Sequence, residues 1–205
     1  MDINKFFLRL FSLLMAIASI NFQCKKRFGC ANTAYNFEIG VKAYPDYDSI
    51  NIRDTIWFEI NTPDTLRDIQ SNELINYSGV ENLGSVISIE KLDGNNFTIK
   101  ALKKFEFILI NGTEVSNTKD PDLFKEYLLK DSNGYYRFKL GIIPLEVGTF
   151  RLIFGNASNV YRKSDECTKA AFSISFRSTN QHYYLNPNFQ GGSFPAGGDY
   201  YFYVK

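Results

Sequence analysis

The chain has 205 residues, with 23 Lys and Arg against 22 Asp and Glu and a formal net charge of +1. That even balance excludes a general nucleic-acid binder, which concentrates a basic surplus on one face. Nineteen Phe and 13 Tyr favour pleated, half-buried surfaces and predict strands. A single histidine beside three cysteines supplies no His/Cys cluster, so neither a metal nor another cofactor is expected.

Chain order begins with an export signal. Lys5 and Arg9 form a basic start, an apolar run follows from Leu10 to Ile20, and Cys24 comes soon after. A run of eleven residues falls short of the roughly 20 that span a bilayer, so a cleaved signal is expected over a transmembrane helix. Two cleavage sites are open. A lipoprotein peptidase would cut before Cys24 and leave its thiol for lipid, making 1–23 the signal and 24–33 a lipid-anchored tether. An ordinary peptidase would use Ala16-Ile17-Ala18 and leave Ser19 first. Cysteine number favours lipid at Cys24, because Cys30 and Cys167 then remain as an even pair for an exported disulfide. Such a bridge closes a loop of roughly 140 residues, worth about 4–5 kcal/mol in the chain-entropy model. Removing 1–23 takes away Lys5, Arg9 and Asp2, leaving 21 basic and 21 acidic residues.

Beyond the tether, residues 34–205 are expected to form a single β-sandwich domain, with 178–205 either part of it or an appended hairpin. Period-two alternation sets the strands. Tyr35, Phe37, Ile39 and Val41 share one face of the first, which Pro45 ends. Thr55–Ile60 is the second, with Trp57 expected in the core. Val86–Glu90 and Phe97–Ala101 flank Asp93-Gly94 as a hairpin. The apolar run Phe105–Ile110 predicts a strand covered on both faces.

One short helix is expected near 120–130. Asp120 can cap it, Pro121 fits its first position, and Leu123, Phe124, Tyr127 and Leu128 fall on one face before Asp131-Ser132-Asn133-Gly134 stops it. Strands resume at Tyr136, Phe138 and Leu140, then Phe150, Leu152 and Phe154, then Phe172, Ile174 and Phe176, and end with Tyr200–Val204. Many short strands between turn signals predict an all-β, antiparallel sandwich. The segment Pro144–Leu152, with Gly148-Thr149-Phe150 feeding a strand, resembles the late strand of bacterial immunoglobulin-like domains.

Together the export segment, the relaxed site around Cys24 and the all-β body resemble the small outer-membrane lipoproteins of Bacteroidota, many of them in families without assigned function. That resemblance implies outer-membrane anchoring through N-terminal lipid. It also implies O-glycosylation at Asp-Ser/Thr-aliphatic sites, for which Asp48-Ser49-Ile50, Asp54-Thr55-Ile56 and Asp64-Thr65-Leu66 qualify; Ser49 and Thr65 are preferred because they sit near turns. Surface-exported members carry acids after the lipidated cysteine, whereas this chain has Lys25-Lys26-Arg27, so the periplasmic and outer faces both stay open.

Catalytic signatures are sparse. His182 sits between Gln181 and Tyr183 in an expected surface loop, and no Gly-x-Ser-x-Gly elbow is present. Paired carboxylates would suffice for a glycan hydrolase, but nothing in the sequence selects a pair among 21 acids. Two aspartate-led turns, Asp93-Gly94-Asn95 and Asp131–Gly134, lack the ligand series of an EF-hand. Near the C-terminus, Tyr183, Tyr184, Tyr201 and Tyr203 accompany Gly191-Gly192 and Gly197-Gly198. They either pack the last strand or present rings to a glycan or protein partner. The sequence therefore predicts a non-enzymatic envelope lipoprotein that acts by binding or assembly on an envelope protein or glycan. A carbohydrate-binding accessory protein and a paired-acid glycan hydrolase are the alternatives. Intact-mass measurement of the membrane-extracted protein is expected to show a lipid-modified chain beginning at Cys24; an unmodified chain beginning at Ser19 refutes the anchor.

Overall fold

A computed structural model describes residues 34–93, 98–116, 119–176, 178–187, 189 and 197–205. The signal 1–23, the tether 24–33 with Cys24 and Cys30, and the tip of the Asp93-Gly94 hairpin lie outside the described residues. Residues Ala34–Lys205 form one compact unit.

In chain order the strands are β1 (Ala34–Gly40), β2 (Lys42–Tyr44), β3 (Ser49–Ile50), β4 (Ile56–Pro63), β5 (Thr65–Arg67) and β6 (Leu74–Asn76). Then come β7 (Val80–Glu81), β8 (Gly84–Leu92), β9 (Thr98–Lys100), β10 (Phe105–Asn111), β11 (Thr113–Glu114) and β12 (Lys125–Leu128). The last are β13 (Lys130–Ser132), β14 (Tyr135–Pro144), β15 (Gly148–Phe154), β16 (Ala157–Arg162), β17 (Asp165–Ser175) and β18 (Asp199–Val204). A front sheet runs β10-β14-β4-β2, with β13 also on β14. A back sheet runs β11-β12-β8-β15-β18-β3, with β9 on β8, and a side sheet runs β1-β17-β16-β7. Pairing is antiparallel except for β1 on β17 and β3 on β18. The fold is the expected all-β sandwich.

Alternation explains how the two main sheets meet. Ile56, Phe58 and Ile60 on β4 and Phe138, Leu140 and Ile142 on β14 point inward from the front sheet, all buried. Phe150, Leu152 and Phe154 on β15 and Tyr200, Phe202 and Val204 on β18 point inward from the back, also buried. Their rings cross the interface. Phe58 lies 5.9 Å from Phe154, 5.8 Å from Phe176 and 5.5 Å from Tyr200. Phe105 meets Phe150 at 4.9 Å, edge to face.

The N-terminal strand ties the sheets together. β1 follows β17, from Ala34 opposite Lys169 to Gly40 opposite Ser175. The Val41 N–H then donates to Ser175 O at 2.7 Å, and β2 crosses to pair with β4. A second aromatic group fills the space under the side sheet, with Phe37 5.3 Å from Phe172 and 5.2 Å from Tyr77. Polar ends are satisfied there: the Tyr136 hydroxyl donates to Tyr77 O, and the Tyr77 hydroxyl sits 3.0 Å from Thr168 O.

Four expectations need correction or completion. The short helix near 120–130 is a single turn at Asp120, where Phe124 N–H reaches Asp120 O at 3.2 Å, followed by strand β12. Asn133-Gly134, read as a helix stop, closes the β13–β14 hairpin instead. Both residues take positive φ (53° and 77°), as a two-residue type I′ turn demands. Lys125–Leu128 pairs with Gly84–Ile87, which buries Tyr127. The run Phe105–Ile110 is not covered on both faces: β10 is an edge strand, and Ile108 and Ile110 are exposed. Finally, β18 lies inside the back sheet between β15 and β3, so the C-terminal strand is integral and not an appended hairpin. Because Phe58 joins three rings across the interface, Phe58→Ala should lower unfolding free energy by about 3–5 kcal/mol. A urea midpoint that falls with unchanged slope checks this, and a loss under about 1 kcal/mol would contradict it.

Candidate functional site

The expected aromatic site is divided by burial. Tyr183 and Tyr201 are 5% and 3% exposed, whereas Tyr184 and Tyr203 are 59% and 41% exposed. Tyr201 points to the outer side of the back sheet, opposite Arg151 on β15, and there Tyr183 packs over it at 5.5 Å. Burial raises the pKa of both phenols. As binding aromatics, Tyr183 and Tyr201 are therefore corrected to packing residues. Tyr184 donates to Asp48 Oδ2 at 2.7 Å, and this hydrogen bond holds the Asp48 carboxyl below its ordinary pKa.

His182 is not the expected surface residue either. It is 3% exposed, with Nδ1 3.1 Å from Tyr201 O and Nε2 3.6 Å from Asp46. It locks the 182–185 turn against β18. Ser49 is half-buried in β3 opposite Tyr203, while Thr65 in β5 is exposed. Cys167 is disulfide-bonded. With Cys24 and Cys30 outside the described residues, lipidation at Cys24 and the Cys30 pairing remain proposals.

Glu90 and Asp199 lie on either side of Arg151. Arg151 Nη2 is 2.8 Å from Asp199 and its Nη1 is 3.6 Å from Glu90, which also meets Lys100 at 2.5 Å. Among the described residues no group of three or more His, Cys, Asp or Glu could hold a metal.

A surface that sequence reasoning missed lies on the outer face of the front sheet. Inward residues on β4 and β14 alternate with outward ones, so Trp57 and Glu59 on β4 share a face with Lys139 and Gly141 on β14. Trp57, expected in the core, stands half-buried on this outer side. Strand register sets it opposite Gly141 and Tyr44, with Ile108 beyond Gly141. Gly141 makes room for the ring: a Cβ there would sit 2.8 Å from Trp57 Cζ3 and 3.0 Å from Thr55 Cγ2.

Polar groups surround the ring. Lys139 Nζ lies 5.2 Å from the Trp57 centroid and 5.4 Å from that of Tyr44, a cation–π geometry. The ammonium hydrogen-bonds the Tyr44 hydroxyl, which raises the Lys139 pKa, and that hydroxyl donates to Glu59 Oε2 at 3.0 Å. Farther along β14, the Arg137 guanidinium sits 5.5 Å from the Tyr135 ring, which is exposed. The result is a strip with a ring platform at each end and hydrogen-bonding groups of both signs between. Such a strip can stack on a ring and hold polar substituents in fixed directions. The signal was present in the sequence: within Ile56–Asn61, Trp57 falls in register with Glu59 and Asn61, not with Ile56, Phe58 and Ile60.

No family model and no curated protein matches this chain. Among solved structures it is similar to a type II cohesin domain from the cellulosome of Acetivibrio cellulolyticus, at 8% identity and a TM-score of 0.33, over 69% of this chain and 91% of that one. A likeness that distant carries no functional argument, and the fold assignment rests on the strand pairing.

Trp57 is the sole tryptophan, so its fluorescence reports on the platform directly. Gly141→Ala should push the ring off the sheet, red-shifting its emission and costing about 1–3 kcal/mol of stability. An unchanged emission spectrum in the folded variant would show that the ring does not depend on Gly141.

Proposed function

We propose that this chain is a non-enzymatic binding module of the bacterial envelope, anchored through lipid on Cys24 and holding its ligand on the outer face of the front sheet. The observation that carries the reading is the placement of Trp57. A large aromatic ring has been kept out of a core that is otherwise rich in Phe and Tyr, and a glycine opposite makes space for it. Half-exposed aromatics on a rigid sheet supply contact area with little loss of side-chain freedom on binding.

The same arrangement favours the carbohydrate-binding alternative over hydrolysis. Ring platforms with flanking donors and acceptors suit a sugar, while Glu90 and Asp199 are both engaged by Arg151. Export and anchoring are supported by the basic start, the apolar run and the cysteine that follows. Whether the domain faces the periplasm or the exterior is left open by Lys25-Lys26-Arg27.

In a screen of immobilised envelope proteins and glycans, the full chain should retain at least one ligand, and Trp57→Ala should abolish that retention without unfolding the domain. Turnover of a glycan, lost in Glu90→Gln or Asp199→Asn, would instead establish the hydrolase reading.

A further inference from the structure

The outer face of the front sheet is basic in a chain whose charges otherwise balance. Register places Lys42 on β2, Arg137 and Lys139 on β14, and Lys130 on β13 along this one face. Glu59 is the acid set between Lys42 and Lys139, and it already accepts the Tyr44 hydroxyl. At the far end of this face Arg53 meets Glu106, and on other surfaces several cations are matched: Lys91 and Lys104 share Glu146, and Arg151 holds Asp199 and Glu90. None of the four cations of the strip forms an ion pair within 4.0 Å among the described residues.

Two of the four also sit against rings, Lys139 beside Trp57 and Tyr44, and Arg137 beside Tyr135. Along β14 the two cations thus lie between two ring faces, Tyr135 at one end and Trp57, opposite Gly141, at the other. From Gly141, opposite Trp57, to Tyr135 the strand advances six residues, or about 20 Å at a strand's rise. The complementary ligand is extended, presents apolar ring faces at intervals, and carries anionic groups between them. An acidic polysaccharide has that chemistry: pyranose rings stack on aromatic side chains, and carboxylate or sulfate groups pair with Lys and with the guanidinium fork of Arg.

We propose that the strip formed by Tyr44, Trp57, Lys139, Arg137, Tyr135 and Lys130 binds an acidic polysaccharide. This deepens the binding reading above and rests on it. An arriving anion draws the Lys139 ammonium from the Tyr44 hydroxyl and frees the Trp57 face for a sugar ring. Arg137 and Lys130 then hold the next acidic group beside Tyr135.

The test uses the full chain with polygalacturonate and chondroitin sulfate as probes, and dextran, polyglutamate and single-stranded DNA as comparators. At least one acidic polysaccharide should bind, dextran should not, and binding should weaken as salt screens the strip. Trp57→Ala, Lys139→Ala and the surface substitution Arg137→Ala should each weaken binding by about tenfold or more. The Trp57 emission should shift on titration of the wild-type chain. Equal binding of polyglutamate or DNA, unaffected by Trp57→Ala, would overturn the ring-stacking site and leave only charge. Trp57-dependent retention of dextran or of a protein would overturn the acidic-glycan class while the binding reading stands. Retention unaffected by Trp57→Ala, Lys139→Ala and Arg137→Ala alike would overturn both.

Discussion

Everything in this domain depends on rings interlocking between two sheets. Phe58 is the junction: it meets Phe154 and Tyr200 of the back sheet and Phe176 at the end of β17. These three come from segments far apart in sequence, so the contact fixes how the sheets are layered as well as stabilising them. Dispersion and apolar burial favour such a core without specifying direction. The edge-to-face geometry of the aromatic pairs adds the directionality. A second ring group under the side sheet works similarly, with the Tyr77 and Tyr136 hydroxyls bonded to backbone carbonyls so that large polar side chains can be buried.

That core governs what the surfaces can do. Inward positions take up apolar residues, and each strand must then send its alternate residues outward. On the back sheet part of the outward row is covered: Tyr183 packs on Tyr201, and Arg151 is held between carboxylates, while Tyr203 and Val86 stay exposed. On the front sheet the outward row carries Trp57, Tyr135 and four cations. One face is thus partly covered by its own chain and the other remains chemically equipped. The difference lies in what folds over each sheet, since the residues 182–185 cap the first and no described residue plays that part for Trp57.

Much of the fold was legible because period-two alternation records burial directly. Phe37, Ile39 and Val41, and Phe150, Leu152 and Phe154, read correctly as buried rows, whereas the choice between Tyr200/Phe202/Val204 and Tyr201/Tyr203 in the last strand stayed open. Misreadings arose where local chemistry had two solutions. Asp120-Pro121 with apolar residues at helical spacing starts a helix equally well as a turn, and pairing with β8 decided the matter. Asn133-Gly134 ends helices and also closes hairpins, and only the partner strand distinguishes the two uses. The run Phe105–Ile110 suggested cover on both sides, yet an edge strand leaves Ile108 and Ile110 in water. Trp57 was misplaced because size and hydrophobicity outweighed its register with Glu59.

The sequence by itself determined the all-β class, most of the inward rows and the near-neutral charge, since each is a property of composition or of spacing within one strand. Only the tertiary structure decided which strands are edges, which aromatic residues are covered and which face collects unpaired cations. Those are relations between strands distant in sequence. Lys42, Lys130, Arg137 and Lys139 come to share one face with Trp57 only once β2, β4, β14 and β13 are in register. Hydrogen bonding across strands sets that register, and no pattern within a single strand encodes it.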